Sequence, residues 1–367
     1  MKRTQHDHGI AVERDARGIG NLLMAMFLLV QVGCKPASPL KEAVHAPQVL
    51  RSAHFVTSDG VTIPVRVQMP AEDPLKAIVL AVHGFNDYGR AFDSVGVFLK
   101  SRGIGVIAYD QRGFGMAGAT GRWAGSHRYP DDLAHLVFAV RDRYPGSPIY
   151  LLGESMGAAV VIASLSANPS LPVAGAILSA PAVWSRDSMP WYQVWVLESV
   201  NALFPDLELT GSGLKVQASD NIEMLRALGR DPWVIKSTRV DAIHGLADLM
   251  DTAQEAVSAI RAPLLILYGG RDQIIPADPV LQMLKRVSGK PEVRVAFYPD
   301  GYHLLLRDLD AHLPLQDVAA WIATPEGALP SGCEVAPKDI IGAGRFAAPA
   351  ACLSGRSGGA QWHPNPN

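Results

Sequence analysis

The sequence predicts an α/β protein, in which a mostly parallel β-sheet is covered by helices on both faces and carries an inserted helical lid. Short apolar runs alternate with helical patterns along most of the chain. Parallel strands read as continuous apolar runs because both of their faces are buried. One interval of about 80 residues breaks the alternation, and it is far longer than a usual crossover between parallel strands.

The predicted elements begin with a β-hairpin, in which strands at 54–56 and 61–67 flank a turn at Asp59 and Gly60. Six further apolar runs are predicted to be buried strands, at 77–82, 104–109, 149–152, 174–178, 264–268 and 293–297. Helical patterns lie at 91–101, 131–144, 157–167 and 279–287, and an amphipathic helix ends near residue 322. The predicted domain parts are a first core part, 50–180, the helical lid, 181–262, and a second core part, 263–323.

The helical lid carries large apolar side chains at near-helical spacing between residues 191 and 204. Two interpretations of this stripe stay open. In the first, Trp191, Trp195 and Phe204 bind the apolar part of a substrate. In the second, the stripe is the packed core of the lid, as is expected of the apolar face of any buried helix.

The N-terminus resembles the export signal of bacterial lipoproteins. Basic residues precede an apolar stretch at 22–32, which runs into Gly33 and Cys34. Residues 1–34 are therefore predicted to be a leader and 35–49 a linker, on an exported cell-envelope protein whose membrane anchor is a lipid on Cys34. The alternative is a disordered leader, or a true start at Met24, on a cytoplasmic protein.

Residues 324–367 are rich in Gly, Ala, Pro and Ser and show no sustained period, which predicts a flexible low-complexity tail. Cys333 and Cys352 both lie in this segment. They are a possible pair in an oxidising compartment, but the composition of the segment leaves the disulfide open.

The composition argues against several kinds of partner. The chain has 33 basic and 35 acidic residues, a formal net charge of −2, and so lacks the basic surface that nucleic-acid binding requires. No apolar run reaches the roughly 20 residues of a membrane-spanning helix. No Cys and His spacing matches a zinc site. Nothing in the sequence implies a metal, a cofactor or an obligate protein partner.

A nucleophilic serine is predicted at position 155. The segment Gly153-Glu154-Ser155-Met156-Gly157 follows one predicted strand and opens the next helix. In a nucleophile elbow the serine occupies a strained strand-to-helix turn, and small residues two positions away on either side let the chains pass closely. The motif in this context indicates an elbow, whereas a glycine-rich turn with an incidental serine would not need the flanking strand and helix.

The order of residues along the chain selects the base and the acid, because in this arrangement both follow the serine, the acid first. His303 is the predicted general base since it follows the last core strand, whereas His312 lies in a helical stretch and His363 in the tail. Asp272 is the predicted acid, because it directly follows the preceding strand and so lies at the carboxyl edge of the sheet.

The oxyanion formed on attack needs two preorganised donors. The predicted donors are the backbone amide of Met156, directly after the nucleophile, and that of Phe85, in the loop after the strand at 77–82. His83 and Gly84 are predicted to shape this loop without reacting.

Three nearby features are predicted to be structural. Asp278 is expected to cap the helix that starts at the following proline, and Asp300 to occupy a turn before a glycine. The segment 113–118 matches GxGxxG, but no helix opens after it, so we expect a shaped loop and no dinucleotide site.

Taken together, the motifs resemble the monoacylglycerol lipase and lysophospholipase branch of the α/β-hydrolase superfamily, sometimes grouped with serine aminopeptidases. The motifs that carry the resemblance span about residues 50–323 and are His83-Gly84-Phe85, Asp110-Gln111-Arg112-Gly113-Phe114-Gly115, Gly153-Glu154-Ser155-Met156-Gly157, Gly270-Arg271-Asp272 and Gly301-Tyr302-His303. The resemblance implies the α/β-hydrolase fold with a helical, apolar-lined lid, acyl esters of glycerol or lysophospholipids as substrates, and structural roles for Asp110 and Arg112.

The sequence thus predicts a serine hydrolase that cleaves carboxylic esters through an acyl-serine intermediate, without a cofactor. A thioesterase or acyltransferase with the same triad is the alternative enzyme. From a different class, a lipid-binding envelope protein that kept the fold without the chemistry stays open.

Overall fold

The computed structural model describes residues 49–50, 53–71, 75–211, 213, 215–290 and 292–354. The predicted leader with Cys34, nearly all of the predicted linker and the last residues of the predicted tail lie outside the described residues. Within the described part of the chain, no helix combines the length and the hydropathy needed to cross a bilayer.

The first described strands form an antiparallel edge of the sheet. These are β1 (Val49–Leu50), β2 (His54–Val56) and β3 (Thr62–Gln68). The predicted hairpin is confirmed, because β2 and β3 pair antiparallel and Gly60 in the turn between them has a φ of 80°. A positive φ of this size is accessible to glycine without strain.

The remaining elements alternate as predicted through most of the chain. In order they are β4 (Ala77–Val82), α1 (Asp93–Lys100), β5 (Ile104–Tyr109), α2 (Arg128–Arg143), β6 (Ile149–Glu154), α3 (Met156–Ala167), β7 (Gly175–Ser179), α4 (Trp191–Leu203), β8 (Glu208–Thr210), α5 (Ile222–Arg230), β9 (Ser237–Arg239), α6 (Val240–Ala256), β10 (Leu264–Gly269), α7 (Ala277–Val287), β11 (Val293–Tyr298), α8 (His312–Ala323), β12 (Glu334–Val335), α9 (Pro337–Ala343) and α10 (Ala350–Ser354).

The main sheet has the strand order β1-β2-β3-β5-β4-β6-β7-β10-β11-β12. The six strands from β5 to β11 in this order run parallel to one another. At the two sides of this parallel centre, β3 pairs antiparallel with β5 and β12 pairs antiparallel with β11. The predicted α/β-hydrolase fold, a mostly parallel sheet, is therefore confirmed.

Helices cover both faces of the sheet, which explains the continuous apolar runs. In β4, alternate residues pack into two separate cores, with Ile78 and Leu80 on one side and Ala77 and Val79 on the other, and none of them is exposed. Side chains from α1 and α8 complete one core, and side chains from α2, α3, α6 and α7 complete the other.

The long interval between β7 and β10 holds the inserted elements, with one difference from the predicted boundary. Helix α6 contributes Ala247, Leu249 and Met250 to the main core, and the Ser166 hydroxyl on α3 donates to the carbonyl of Ala256 at its end. Because it packs on α3, α6 belongs to the core, so the lid ends before it and not at residue 262. The lid also contains an antiparallel pair, β8 with β9, that the sequence patterns did not indicate.

The prediction of a flexible tail is wrong for residues 324–354. Strand β12 extends the sheet beside β11, and Ile340 of α9 is buried in the main core. Phe346 lies with its ring centroid 4.8 Å from that of Tyr268 and 5.2 Å from that of Phe297. A disulfide between Cys333 and Cys352 joins the residue directly before β12 to helix α10. A few apolar contacts and one covalent link thus order a segment whose average composition is typical of disorder.

Candidate active site

Ser155 occupies a strained turn between β6 and α3, with φ of 55° and ψ of −117°. The turn leaves no room for side chains on either side. A Cβ on Gly157 would lie 1.9 Å from the carbonyl oxygen of Val82, and a Cβ on Gly153 would lie 2.5 Å from Cα of Ala158. The predicted strand-turn-helix geometry is therefore confirmed, and strain of this kind at a non-glycine residue is typical of functional sites.

Asp272 and His303 form a buried pair at the carboxyl edge of the sheet. Nδ1 of His303 lies 2.8 Å from Oδ2 of Asp272, and both side chains are almost completely buried. The other carboxylate oxygen, Oδ1, accepts hydrogen bonds from the backbone amides of Ile274 at 2.8 Å and Ile275 at 3.0 Å. Because an ionised carboxylate only accepts, Nδ1 carries a proton and Nε2 is left to act as the base.

Backbone contacts hold the loops of the acid and the base together. The amide of Arg271 donates to the carbonyl of Gly301 at 2.9 Å. A Cβ on Gly269 would lie 2.4 Å from that same carbonyl oxygen, so the two loops approach more closely than a side chain would allow. The amide of Tyr302, next to His303, donates to Oδ2 of Asp308 at 2.7 Å. The imidazole is thus placed by its backbone as well as by Asp272.

The structure does not join the serine to the base by a hydrogen bond. Ser155 is half-buried at the same sheet edge, but its hydroxyl has no hydrogen-bond partner among the described residues. Hydrogen bonds to a catalytic nucleophile are often long before substrate binds. The contact between Ser155 and His303 stays a prediction.

The predicted oxyanion donors lie beside the nucleophile. An added Cβ on Gly84 would lie 3.4 Å from Cβ of Ser155, so the loop that carries Phe85 passes directly next to the serine. Among the described residues, no acceptor is found for the Phe85 amide. Met156 is the first residue of α3, where a backbone N–H has no carbonyl one turn earlier to bond. Both amides are free to stabilise an oxyanion.

The lid contacts this oxyanion loop directly. Asn86 has a φ of 65°, its carbonyl accepts from the Ile235 amide at 2.9 Å, and its side chain donates to the Thr238 hydroxyl at 2.7 Å. The residue after Phe85 is therefore held by the inserted segment.

His83 is a structural residue, as predicted. It is fully buried; Nδ1 lies 2.8 Å from the carbonyl oxygen of Gly84 and Nε2 accepts from the amide of Gln111 at 2.9 Å. An imidazole that accepts at Nε2 is neutral, and burial lowers the pKa of His83. The histidine ties the oxyanion loop to the loop after β5.

Asp110 and Arg112 are structural too, as the family resemblance implied. Asp110 accepts from the amides of Gly89 and Met116, each at 2.8 Å. Arg112 forms ion pairs with Asp59 and Asp132, each with a shortest distance of 2.6 Å. The guanidinium holds the pKa of the Asp59 carboxyl well below its usual range.

Asp278, Asp300 and the glycine-rich segment 113–118 lie in structural positions. Helix α7 begins at Ala277, so Asp278 lies in its first turn and is not its N-cap, which corrects the predicted helix start. Asp300 forms an ion pair with Arg271 on the surface. Gly113, Gly115 and Gly118 all have positive φ, and the chain continues as a loop to α2, as predicted.

The aromatic side chains of the apolar stripe of the lid face solvent. Trp191 is 79% exposed, Trp195 65% and Phe204 42%, and helix α4 contains no fully buried residue. For these three side chains the interpretation as packed core is therefore wrong, whereas Leu197 of the same stripe packs against the main core. Contact of these three side chains with a substrate stays a prediction, and the structure places them on an open surface and not in an enclosed pocket.

The sequence patterns missed one group of residues at this site. Arg307 forms ion pairs with Asp87 and Glu154, each at 2.7 Å. Glu154 lies inside the serine motif and Arg307 follows the histidine motif, but no spacing rule pairs them.

Among the described residues, no group of three His, Cys, Asp or Glu side chains has an arrangement that could hold a metal ion.

Comparisons with known proteins place the motifs in one family. The family model described as "Serine aminopeptidase, S33" matches residues 73–310. The monoacylglycerol lipase of Mycolicibacterium smegmatis is 29% identical over 287 residues, which cover 75% of this chain and 98% of that protein. The monoglyceride lipase of Homo sapiens is 24% identical over 259 residues, which cover 70% of this chain and 84% of that protein.

Solved structures agree on the fold. A soluble variant of monoglyceride lipase from Saccharomyces cerevisiae, in complex with a substrate analog, has a TM-score of 0.65 and 18% sequence identity. The match covers 79% of this chain and all of that one. The resemblance inferred from the motifs is confirmed by these findings.

Proposed function

The chain belongs to the serine aminopeptidase S33 family, and we propose that it is a serine hydrolase that cleaves carboxylic esters of the monoacylglycerol type. The observation that carries the proposal is the buried pair of Asp272 and His303, with 2.8 Å between carboxylate and imidazole, at the sheet edge where Ser155 occupies its strained turn. The family membership and the two free amides of the oxyanion loop and elbow support it.

The reaction proceeds through a covalent acyl-serine. Nε2 of His303 takes the proton of the Ser155 hydroxyl while the serine oxygen attacks the ester carbonyl. The amides of Phe85 and Met156 stabilise the negative charge on the carbonyl oxygen. The imidazolium, held by Asp272, then donates its proton to the leaving alcohol. Water then gives a proton to His303 while its oxygen attacks the acyl carbon. The bond between that carbon and the serine oxygen breaks, His303 returns the proton to the serine oxygen, and the acid leaves.

Acyl glycerols are the proposed substrate class, because two of the curated relatives are named for monoacylglycerol or monoglyceride hydrolysis. The exposed aromatic side chains of the lid support an apolar substrate. Trp191 and Trp195 leave most of their surface in solvent, and a large exposed apolar patch is typical of a surface that meets other molecules.

Export to an oxidising compartment is a further part of the proposal. Disulfides persist in such compartments and are rare in the cytosol, and the bond between Cys333 and Cys352 supports export. The anchor is the lipid on Cys34. Fractionation of cells that express the full chain tests the anchor. We expect wild type in the membrane fraction and Cys34→Ala in the soluble fraction. The same distribution for both proteins would contradict the anchor.

The activity is tested with a matched panel of substrates on wild type and Ser155→Ala. The panel contains a monoacylglycerol, a lysophospholipid and the oxygen and thiol esters of one medium-chain acid. We expect the wild type to hydrolyse the monoacylglycerol fastest and Ser155→Ala to lack activity on all four. Faster cleavage of the thiol ester than of its oxygen ester would favour the thioesterase, and no turnover of any substrate would favour a binding protein.

The role of the lid aromatics needs its own comparison. We expect Trp191→Ser with Trp195→Ser to slow hydrolysis of long-chain esters about tenfold and to leave p-nitrophenyl acetate unchanged, because only a long chain reaches the lid. Phe138→Ser is the matched control, since this side chain is 47% exposed on α2. Equal effects of the lid and control variants on long-chain substrates would remove the lid from substrate binding.

A further inference from the structure

Arg307 is a buried cation beside the active site, and the hydrolysis steps give it no role. Its side chain is 7% exposed. Nη1 donates to Oδ2 of Asp87 and Nη2 donates to Oε2 of Glu154, both at 2.7 Å. Glu154 is 1% exposed, and the cluster therefore has almost no contact with water.

The three members of this cluster come from the three loops that carry the predicted chemistry. Asp87 lies two residues after Phe85, whose amide is a predicted oxyanion donor. Glu154 immediately precedes Ser155, and Arg307 follows His303 by four residues. One guanidinium thus bonds to the oxyanion loop and to the nucleophile elbow from the histidine loop.

The geometry of the guanidinium fixes these loops in distance and in angle. Its terminal nitrogens are held in one plane, so two carboxylates bound to different nitrogens keep a fixed relation to each other. Asp87 is held on its other side, because Oδ1 accepts from the amide of Tyr88 at 2.9 Å. The backbone of Arg307 is held by its amide, which donates to the carbonyl of Leu304 at 2.8 Å.

Stability alone does not account for this cluster. It sets two carboxylates against one cation, and burial raises the pKa of Glu154. Among the described residues, Oε1 of Glu154 and Nε of Arg307 have no hydrogen-bond partner although both atoms are buried. Buried ion pairs are often no more stabilising than apolar side chains of the same size. An incompletely bonded cluster that joins three catalytic loops is better explained by the geometry that it imposes.

We propose that Arg307 is a positioning residue of the hydrolysis reaction, which holds the nucleophile elbow, the oxyanion loop and the histidine loop in register. The proposal rests on the proposed function of the site. A shift of about 1 Å between catalytic groups costs roughly 100-fold in rate, and loss of the bridging guanidinium frees all three loops. Because the register matters for the transition state more than for substrate binding, the loss falls on kcat.

The test compares Arg307→Met and Arg307→Lys with wild type on a short p-nitrophenyl ester. We expect Arg307→Met to lower kcat about 100-fold and to change KM by less than about threefold. A lysine keeps the charge but has a single nitrogen, so we expect Arg307→Lys to recover about tenfold of this loss. Arg66→Met, which removes a surface ion pair with Asp93, is the matched control and should leave kcat unchanged.

A second variant separates positioning from folding. Glu154→Gln with Arg307→Met removes the uncompensated charge of one carboxylate, so the thermal midpoint should rise above that of Arg307→Met alone. We expect kcat to stay low in this double variant. If the double variant recovered kcat together with its thermal midpoint, Arg307 would only stabilise the fold. That result would overturn the proposal, and it can be read even if Arg307→Met alone does not fold.

Failure of the inference and failure of the proposed function give different results. Labelling of wild-type protein by a fluorophosphonate reports whether Ser155 is an active nucleophile, whatever the natural substrate. An unlabelled and inactive wild type would contradict the function. A labelled and active wild type with an equally active Arg307→Met would contradict only the positioning role.

Discussion

Replacement of Asp272 by asparagine tests how the triad is oriented. In the wild type, Oδ1 accepts from two backbone amides and Oδ2 accepts from Nδ1 of His303. An asparagine must place its carbonyl oxygen on one side and its NH₂ group on the other. If the NH₂ group faced the two amides, it would set donor against donor, at about 1–3 kcal/mol for each buried group left unbonded. We therefore expect the NH₂ group to face His303.

In that orientation the NH₂ group of the introduced asparagine forces Nδ1 of the imidazole to accept, so the ring proton moves to Nε2. Nε2 then cannot take the proton of Ser155. The corresponding change in a well-studied serine protease lowers kcat about 10⁴-fold, which is about 5.5 kcal/mol of transition-state stabilisation. We expect a loss of the same order in Asp272→Asn, with an unchanged circular dichroism spectrum.

The assay is kcat for a short p-nitrophenyl ester under saturating conditions. Asp300→Asn is the matched control, because Asp300 is the neighbouring aspartate that pairs with Arg271 on the surface. The kcat of Asp300→Asn should stay within about threefold of the wild-type value, because a surface ion pair contributes little. If Asp272→Asn kept more than a tenth of wild-type kcat, Asp272 would not set the tautomer of His303.

Three further predictions concern stability. Gly157→Ala, whose Cβ would lie 1.9 Å from the carbonyl oxygen of Val82, should lower the free energy of unfolding by about 3 kcal/mol. Cys333→Ala with Cys352→Ala should lower it by about 3 kcal/mol, because the disulfide closes a loop with a sequence separation of 19 residues. Burial raises the pKa of Asp308 to about 7. Between about pH 4 and pH 7 the folded state holds a proton that the unfolded state has released, so stability falls as the pH rises. Asp308→Asn should remove this pH dependence of stability. Its free energy of unfolding should exceed that of wild type by about 1 to 3 kcal/mol between pH 5 and pH 8.

Urea unfolding measures all three, and the first two have their own controls. Gly229→Ala adds a Cβ in open space on α5 and should be neutral or stabilising by up to about 1 kcal/mol. Treatment of the double alanine variant with reductant should have no further effect, while wild type should lose stability to the level of the variant. If the difference in the free energy of unfolding between Asp308→Asn and wild type were constant from pH 5 to pH 8, Asp308 would not titrate in this range.

The sequence was sufficient for the fold and for the pairing of Asp272 with His303, whereas the contact of Ser155 with His303 stays a prediction. Continuous apolar runs identify strands that are buried on both faces, and the order of serine, acid and base left one plausible residue for each role. The Asp272 to His303 contact follows because both residues lie in the loops that leave neighbouring parallel strands, β10 and β11. These predictions depend on local patterns and on chain order, which a single sequence displays.

Features that depend on which surfaces meet were less predictable. Helices α4 and α6 both show apolar periods, but α6 packs on the core and the aromatic side chains of α4 face solvent. The composition of residues 324–354 gives no indication of the few contacts that order them. The bonds of Arg307 to Asp87 and Glu154 span 220 and 153 residues of sequence, and no local pattern indicates such a convergence.

The most direct test of the account is the site and rate of fluorophosphonate labelling, read by mass spectrometry of the folded chain. We expect a single adduct on Ser155, no adduct at that site in Ser155→Ala, and labelling at least about 100-fold slower in His303→Ala, because the serine depends on the imidazole as its base. An adduct on another residue, or equal rates for wild type and His303→Ala, would contradict the claim that these two side chains act together.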